Sequence, residues 1–92
     1  MEFEWDTDKT DANLEKHGVS FFDARSVFLD PNAFTVYDPD HSDNEDRFLT
    51  IGFVVDGRLL VVSHTDREQT TRIISARKAT SREMKGYPND RQ

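Results

Sequence analysis

Two runs rich in β-branched and aromatic residues, Arg47 to Val55 and Arg58 to Thr65, flank the dipeptide Asp56-Gly57. Alternating apolar runs around such a dipeptide are the strongest short-range signal for a β-hairpin, because aspartate and glycine tolerate the positive φ angles of a tight type I′ turn. The chain is therefore expected to fold around this hairpin. A two-residue turn places Val55 opposite Arg58, so counting back pairs Phe53 with Leu60, Ile51 with Val62 and Leu49 with His64. Asp66 to Gln69 makes the next turn, and Thr70 to Lys78 returns as another strand.

The segments before the hairpin have helical punctuation. Asp6 offers an N-cap oxygen to a helix over Thr7–His17, and Gly18 supplies the left-handed residue that ends it. His17, in the last turn, interacts favourably with the helix dipole. Ser20 caps a second helix, with Asp23 in the capping-box position and Phe21, Ala24 and Phe28 recurring on one face. Asp30-Pro31-Asn32 stops it, since the residue before proline is driven from the helical region. Glu2 to Trp5 and Ala33 to Tyr37 read as short strands. Thr80 with Glu83 forms a capping box for a short final helix ended by Gly86 and Pro88. The expected class is α+β: two N-terminal helices, an antiparallel sheet of about four strands and a C-terminal helix.

Ninety-two residues suffice for one small domain, with its core within about residues 3–87. Hydrophobic residues are 35% and charged ones 33%, but ten aromatics fall in clusters, which favours a packed core over disorder. There is no cysteine, which excludes disulfides, thiolate metal sites and a cysteine nucleophile. No apolar run approaches a membrane span and the first residues lack the pattern of a signal peptide, so a cytoplasmic protein is expected. Net charge is −6, split as −10 over residues 1–46 and +4 over residues 47–92, so the second half can build a basic surface on an acidic protein. The oxygen-rich loop Asp38 to Asp46 does not match a calcium loop, which needs glycine where Asp43 stands and a carboxylate where Leu49 stands. No metal or other cofactor is expected.

The strand ends bring together groups suited to phosphate chemistry. Arginine can hold a phosphate and stabilise charge added in the transition state, and histidine can move protons near neutral pH. His64, Arg72 and Arg77 are the candidates. Strand alternation points Arg72 and Arg77 to opposite faces, so at most one faces His64 unless a bulge or the strand end redirects the other. The competing reading makes His64 a polar strand-end residue and pairs the arginines with Asp66, Glu68 or Glu83.

Trp5-Asp6, Lys9, Asn13, Lys16-His17-Gly18, Phe21, Ala24 and Phe28, then Asp40-His41-Ser42 with Glu45 and Arg47, then Arg72 to Ala79 with Glu83 and Tyr87, resemble the BrnT toxin family. The resemblance runs from about Phe3 to Tyr87. It implies a RelE-like fold, a ribonuclease toxin of a type II toxin–antitoxin pair that stops translation, and a BrnA-like antitoxin with a ribbon-helix-helix domain, through which alone DNA would be contacted. It also supports Arg72 and Arg77 as functional and brings Tyr87 toward the site. Arg47, Lys78 and Arg82 are expected to contact the RNA backbone without entering the reaction. RelE-like toxins are usually basic, and this chain departs from that. A second class of function is a non-catalytic module that only forms the complex with the antitoxin. With the charge split, the resemblance places the antitoxin over the basic sheet and final helix.

Overall fold

The apolar runs around Asp56-Gly57 do form a hairpin, one residue out of the expected register. In the computed structural model, which describes residues 1–87, strand β3 (Phe48–Phe53) pairs with β4 (Leu59–Arg67) through Phe53–Leu59, Ile51–Val61, Leu49–Ser63 and Phe48–His64. The Val54 N–H donates to the Arg58 carbonyl and the Gly57 N–H to the Val54 carbonyl, each at 2.9 Å. The loop therefore holds three residues, Val55, Asp56 and Gly57, and only Gly57 among them has a positive φ, +93°. This is a type I turn closed by a left-handed glycine, which spares Asp56 the strained region a type I′ turn demands. It also buries Val54 and leaves Val55 90% exposed. The expected pairs Val55–Arg58, Phe53–Leu60, Ile51–Val62 and Leu49–His64 are thus corrected, and a one-residue slip moves every β3 side chain to the other face.

Five strands form one sheet in the order β1-β5-β4-β3-β2, where β1 is Glu2–Glu4, β2 is Phe34–Tyr37 and β5 is Thr70–Lys78. The expectation of about four antiparallel strands is corrected at one edge: β1 runs parallel to β5, pairing Glu2 with Thr70 and Glu4 with Arg72. The class is α+β.

One face of the sheet carries the two N-terminal helices. Helix α1 (Thr7–His17) begins at Asp6, whose carboxylate accepts from the Asp8 and Lys9 N–H groups, and ends at Gly18 with φ +72°. The second expected helix is shorter than its sequence pattern. It makes one α-turn, α2 (Phe21–Ala24), capped by Ser20, and continues as a 3₁₀ turn over Arg25–Leu29. That turn lies directly on the sheet at Gly52, where a side chain's first carbon would stand 2.9 Å from the Ala33 Cβ and 3.2 Å from the Val27 carbonyl oxygen. Val19, Phe21, Ala24 and Val27 pack against Val54, Leu60, Val62, Ile73 and Ala76. On the opposite face a smaller cluster of Ile51, Leu59, Val61 and Tyr87 forms at one end, next to helix α3 (Ser81–Gly86). The Thr80–Glu83 capping box starts α3 as expected; Pro88 lies outside the described residues. No helix among those residues is long and apolar enough to cross a membrane.

Two polar side chains tie these layers together. The Asp30 carboxylate accepts from the Asn32 and Phe53 N–H groups, at 2.9 and 2.7 Å, and from the Tyr87 hydroxyl. It joins the turn before β2, strand β3 and the end of α3. Asn13 does the same for α1 and β5. Strand β1 covers only Thr70 to Arg72, and beyond it the buried Asn13 amide donates to the Ala76 and Val19 carbonyls, at 2.8 and 2.7 Å. Its own oxygen accepts from the Ala76 N–H at 3.2 Å. One side chain thus stands in for the missing neighbouring strand. Asn13→Leu would leave buried backbone groups of Ala76 and Val19 unpaired, at about 1–3 kcal/mol for each such group. Urea unfolding should show a loss of at least about 2 kcal/mol, and an unchanged midpoint would contradict this role.

Candidate active site on the open face of the sheet

Along β5, Ser75 lies opposite Ser63 of β4, but Ile73 lies opposite His64, so Ile74 is an extra residue without a partner. This bulge changes the alternation. Before it, Arg72 faces Thr65, and after it Arg77 faces Val61. Thr65, Ser63 and Val61 alternate on one face of β4, the face away from α1 and α2. Arg72, Ser75 and Arg77 therefore share that open face, although regular alternation over five positions would have separated the arginines.

His64 is on the other face. It is 2% exposed, with its ring centroid 5.0 Å from that of Phe28 and 6.0 Å from that of Phe48. Its Nδ1 bonds the Asp66 carboxylate at 2.9 Å and its Nε2 bonds the Thr50 hydroxyl at 2.7 Å, which in turn meets the Thr35 hydroxyl at 2.7 Å. Hydroxyl, imidazole and carboxylate stand in the order of a nucleophilic triad. Thr50 is itself only 2% exposed, however, and the cluster satisfies polar groups inside the core. The expected meeting of His64 with one of the arginines is corrected: His64 pairs with Ile73 on the core face, while Arg72 and Arg77 pair with Thr65 and Val61 on the other.

The open face holds a concavity of about 250 Å³ lined by Asp38, His41, Arg47, Leu49, Ser63, Ser75 and Arg77. The sheet supplies its floor and the acidic loop its wall. That loop is closed at its neck: the Asp38 N–H donates to the Arg47 carbonyl at 2.9 Å, and the Ser42 hydroxyl bonds the Asp38 carbonyl at 2.6 Å while accepting from the Arg47 N–H at 2.9 Å. A short 3₁₀ turn, Pro39–His41, brings the His41 Nδ1 to 2.8 Å from the Asp38 carboxylate, with the imidazole 65% exposed. The sequence pattern marks Asp40-His41-Ser42 and Arg47 as part of the family resemblance but gives His41 no role of its own. The available signal was an aspartate three residues before a histidine, across a proline suited to opening a turn.

Each arginine of this face except one is held by a carboxylate. Glu83 grips Arg77 through two hydrogen bonds of 2.8 and 2.9 Å, Glu45 grips Arg67 at 3.0 and 3.2 Å, and Glu4 lies 3.5 Å from Arg72. Among the described residues Arg47 makes no ion pair within 4.0 Å. The Arg77 hydrogen bonds lower the Glu83 pKa to about 2 against the opposing effect of burial, and Glu83 in turn raises that of Arg77. Guanidinium groups with nearby hydroxyls suit a phosphate diester, whose oxygens accept in the plane of the fork.

The remaining expected residues sit elsewhere. Tyr87 is buried between Phe34 and Phe53, its hydroxyl on Asp30. Lys78 is exposed and lines a separate concavity with Phe53, Met84 and Tyr87. Arg82 is exposed on the first turn of α3.

The model of the family described as the ribonuclease toxin BrnT of type II toxin–antitoxin systems matches residues 5–83. The chain belongs to this family. The match spans α1, the acidic loop, the bulged strand and Glu83. A crystal structure of the Brucella abortus ribonuclease toxin BrnT superposes with a TM-score of 0.66 at 25% identity, over 88% of this chain and 99% of the other. No curated protein matches the sequence. The family is one of ribonucleases working within toxin–antitoxin pairs, so an antitoxin partner and an RNA target come with membership.

The Glu83–Arg77 pair predicts a pH dependence for this BrnT-family chain. A carboxylate whose pKa falls on folding adds stability above its unfolded value, and the gain is lost as pH drops through its folded value. Glu83→Gln, which keeps an acceptor for the Thr80 N–H, should be less stable than the parent at pH 6. The difference should shrink as pH falls from 4.5 toward about 2. Thermal melts showing the same difference across that range would contradict it.

Proposed function

We propose that the chain is an RNA endonuclease toxin that cuts without a metal ion, arrests translation, and acts over the open face of the sheet. The observation that carries this reading is the convergence of Arg47 and Arg77, with Ser63 and Ser75, on one concavity, with Arg72 on the same face. Two guanidiniums beside a scissile phosphate can bind it and stabilise the charge that grows on its oxygens, which is the contribution a metal makes in other nucleases. Arg77 is the main transition-state group, Arg72 extends the basic strip, and Arg47 holds the backbone. Lys78 and Arg82, on or beyond the end of that strip, give weaker phosphate contacts.

His64 acts in this reading as a core residue and Tyr87 as the anchor of α3 on Asp30. The partner is a BrnA-like antitoxin with a ribbon-helix-helix domain, which covers the basic strip and α3 and alone contacts DNA. The pair works in the cytoplasm. A purely complex-forming role would not need Arg47 and Arg77 gathered on one concavity with Arg72 on the same face, and that gathering favours catalysis.

Cleavage of a labelled single-stranded RNA by the purified protein in chelator tests the reading. Arg77→Ala should lower the rate on the order of a hundredfold, as loss of one preorganised donor does. Arg47→Ala should mainly weaken binding and lower its salt dependence by roughly one counterion. His64→Ala should be read together with its melting temperature, since it opens the core. Parental cleavage by folded Arg77→Ala and Arg72→Ala variants alike would remove the open face as the catalytic surface.

A further inference from the structure

We infer that His41 is the general base of the cleavage reaction, an assignment that rests on the ribonuclease reading above. A cut of RNA through its own 2′-hydroxyl needs a group that removes the hydroxyl proton as oxygen attacks phosphorus. The chain has three imidazoles. His64 is sealed in the core, and His17 ends α1, which lies on the other side of the sheet. His41 alone of the three lines the concavity that holds Arg47 and Arg77.

Its setting is that of an oriented base. The Asp38 carboxylate is 13% exposed, and its backbone is fastened at both ends, by the Arg47 carbonyl and the Ser42 hydroxyl. Bonding to it at 2.8 Å places the imidazole proton on Nδ1 and leaves the Nε2 lone pair for substrate. The carboxylates nearby are poor competitors. Glu83 and Glu45 are committed to Arg77 and Arg67, whose hydrogen bonds lower their pKa values and so weaken them as bases.

The step balances as follows. His41 Nε2 takes the 2′-hydroxyl proton while the 2′-oxygen forms a bond to phosphorus. The bond from phosphorus to the 5′-oxygen breaks, with Arg77 holding the added negative charge and Arg47 the backbone of the strand. The 5′-oxygen takes a proton from solvent water, and the imidazolium returns its own to solvent. The products are a 2′,3′-cyclic phosphate and a 5′-hydroxyl, with no co-reactant.

The test is single-turnover cleavage of a labelled RNA by the full chain in chelator, with binding measured separately on an all-2′-deoxy version of the same strand. His41→Ala should slow cleavage on the order of a hundredfold or more while binding the deoxy strand with parental affinity. Added imidazole should restore part of the rate, and parental product should carry the cyclic phosphate. Asp38→Asn should give a smaller loss by freeing the ring. Parental cleavage by His41→Ala overturns the assignment and leaves the ribonuclease site standing. So does a loss matched by weaker binding and not rescued by imidazole, which would make His41 a binding residue. A parental protein that does not cut RNA overturns both.

Discussion

A single unpaired residue, Ile74, decides which side chains of β5 point away from the core. Without it, strand alternation would put Arg77 among the helices or Arg72 among them, and one guanidinium would be buried or the strand displaced. With it, Ile73 and Ala76 both face the core and Arg72, Ser75 and Arg77 all face outward. Asn13 holds the strand just past this irregularity by bonding both backbone groups of Ala76. The bulge and its asparagine clamp thus connect packing on one face to chemistry on the other. This coupling explains why a small sheet can keep a continuous core and still present a polar strip.

The acidity of the chain also finds a structural account. Its carboxylates do not simply dilute the basic surface but sit on it: Glu83 on Arg77, Glu45 on Arg67, Glu4 beside Arg72. Under the proposed function, a phosphate would meet guanidiniums whose charge is already partly balanced, so its binding depends on local geometry more than on the net charge of −6. Arg47, on the wall of the same concavity, makes no ion pair among the described residues.

Much of the fold was legible because it is written in local chemistry. Asp6, Gly18, Ser20 and the Thr80–Glu83 box mark helix ends at the positions found, since each acts on backbone groups within a few residues. The register of the hairpin was not. Asp56-Gly57 fits two turn types, and the choice between them depends on Val54 reaching the core and on Gly52 meeting the Val27 backbone, contacts made over long separations. The slip changes which β3 side chains share a face with His64, but His64 stays with Leu60 and Val62 on the core face, and the bulge turns both arginines to the other. The bulge had no glycine or proline to announce it, although it was recognised as the condition for Arg72 and Arg77 to meet. The place of His41 beside the arginines is not written locally, because closure of its loop over the sheet depends on the pairing of Asp38 with Arg47.

The central claim is that RNA lies on the open face, across the bulged strand, and not on the helical side. Nuclear magnetic resonance of the arginine side-chain Nε–H groups during titration with a 2′-deoxy strand tests it most directly. The account predicts shifts at Arg47, Arg72 and Arg77, with Arg25, stacked on Phe22, and Arg58, bonded to the Gly18 carbonyl on the helical side, left unchanged. Shifts confined to Arg25 and Arg58 would contradict it.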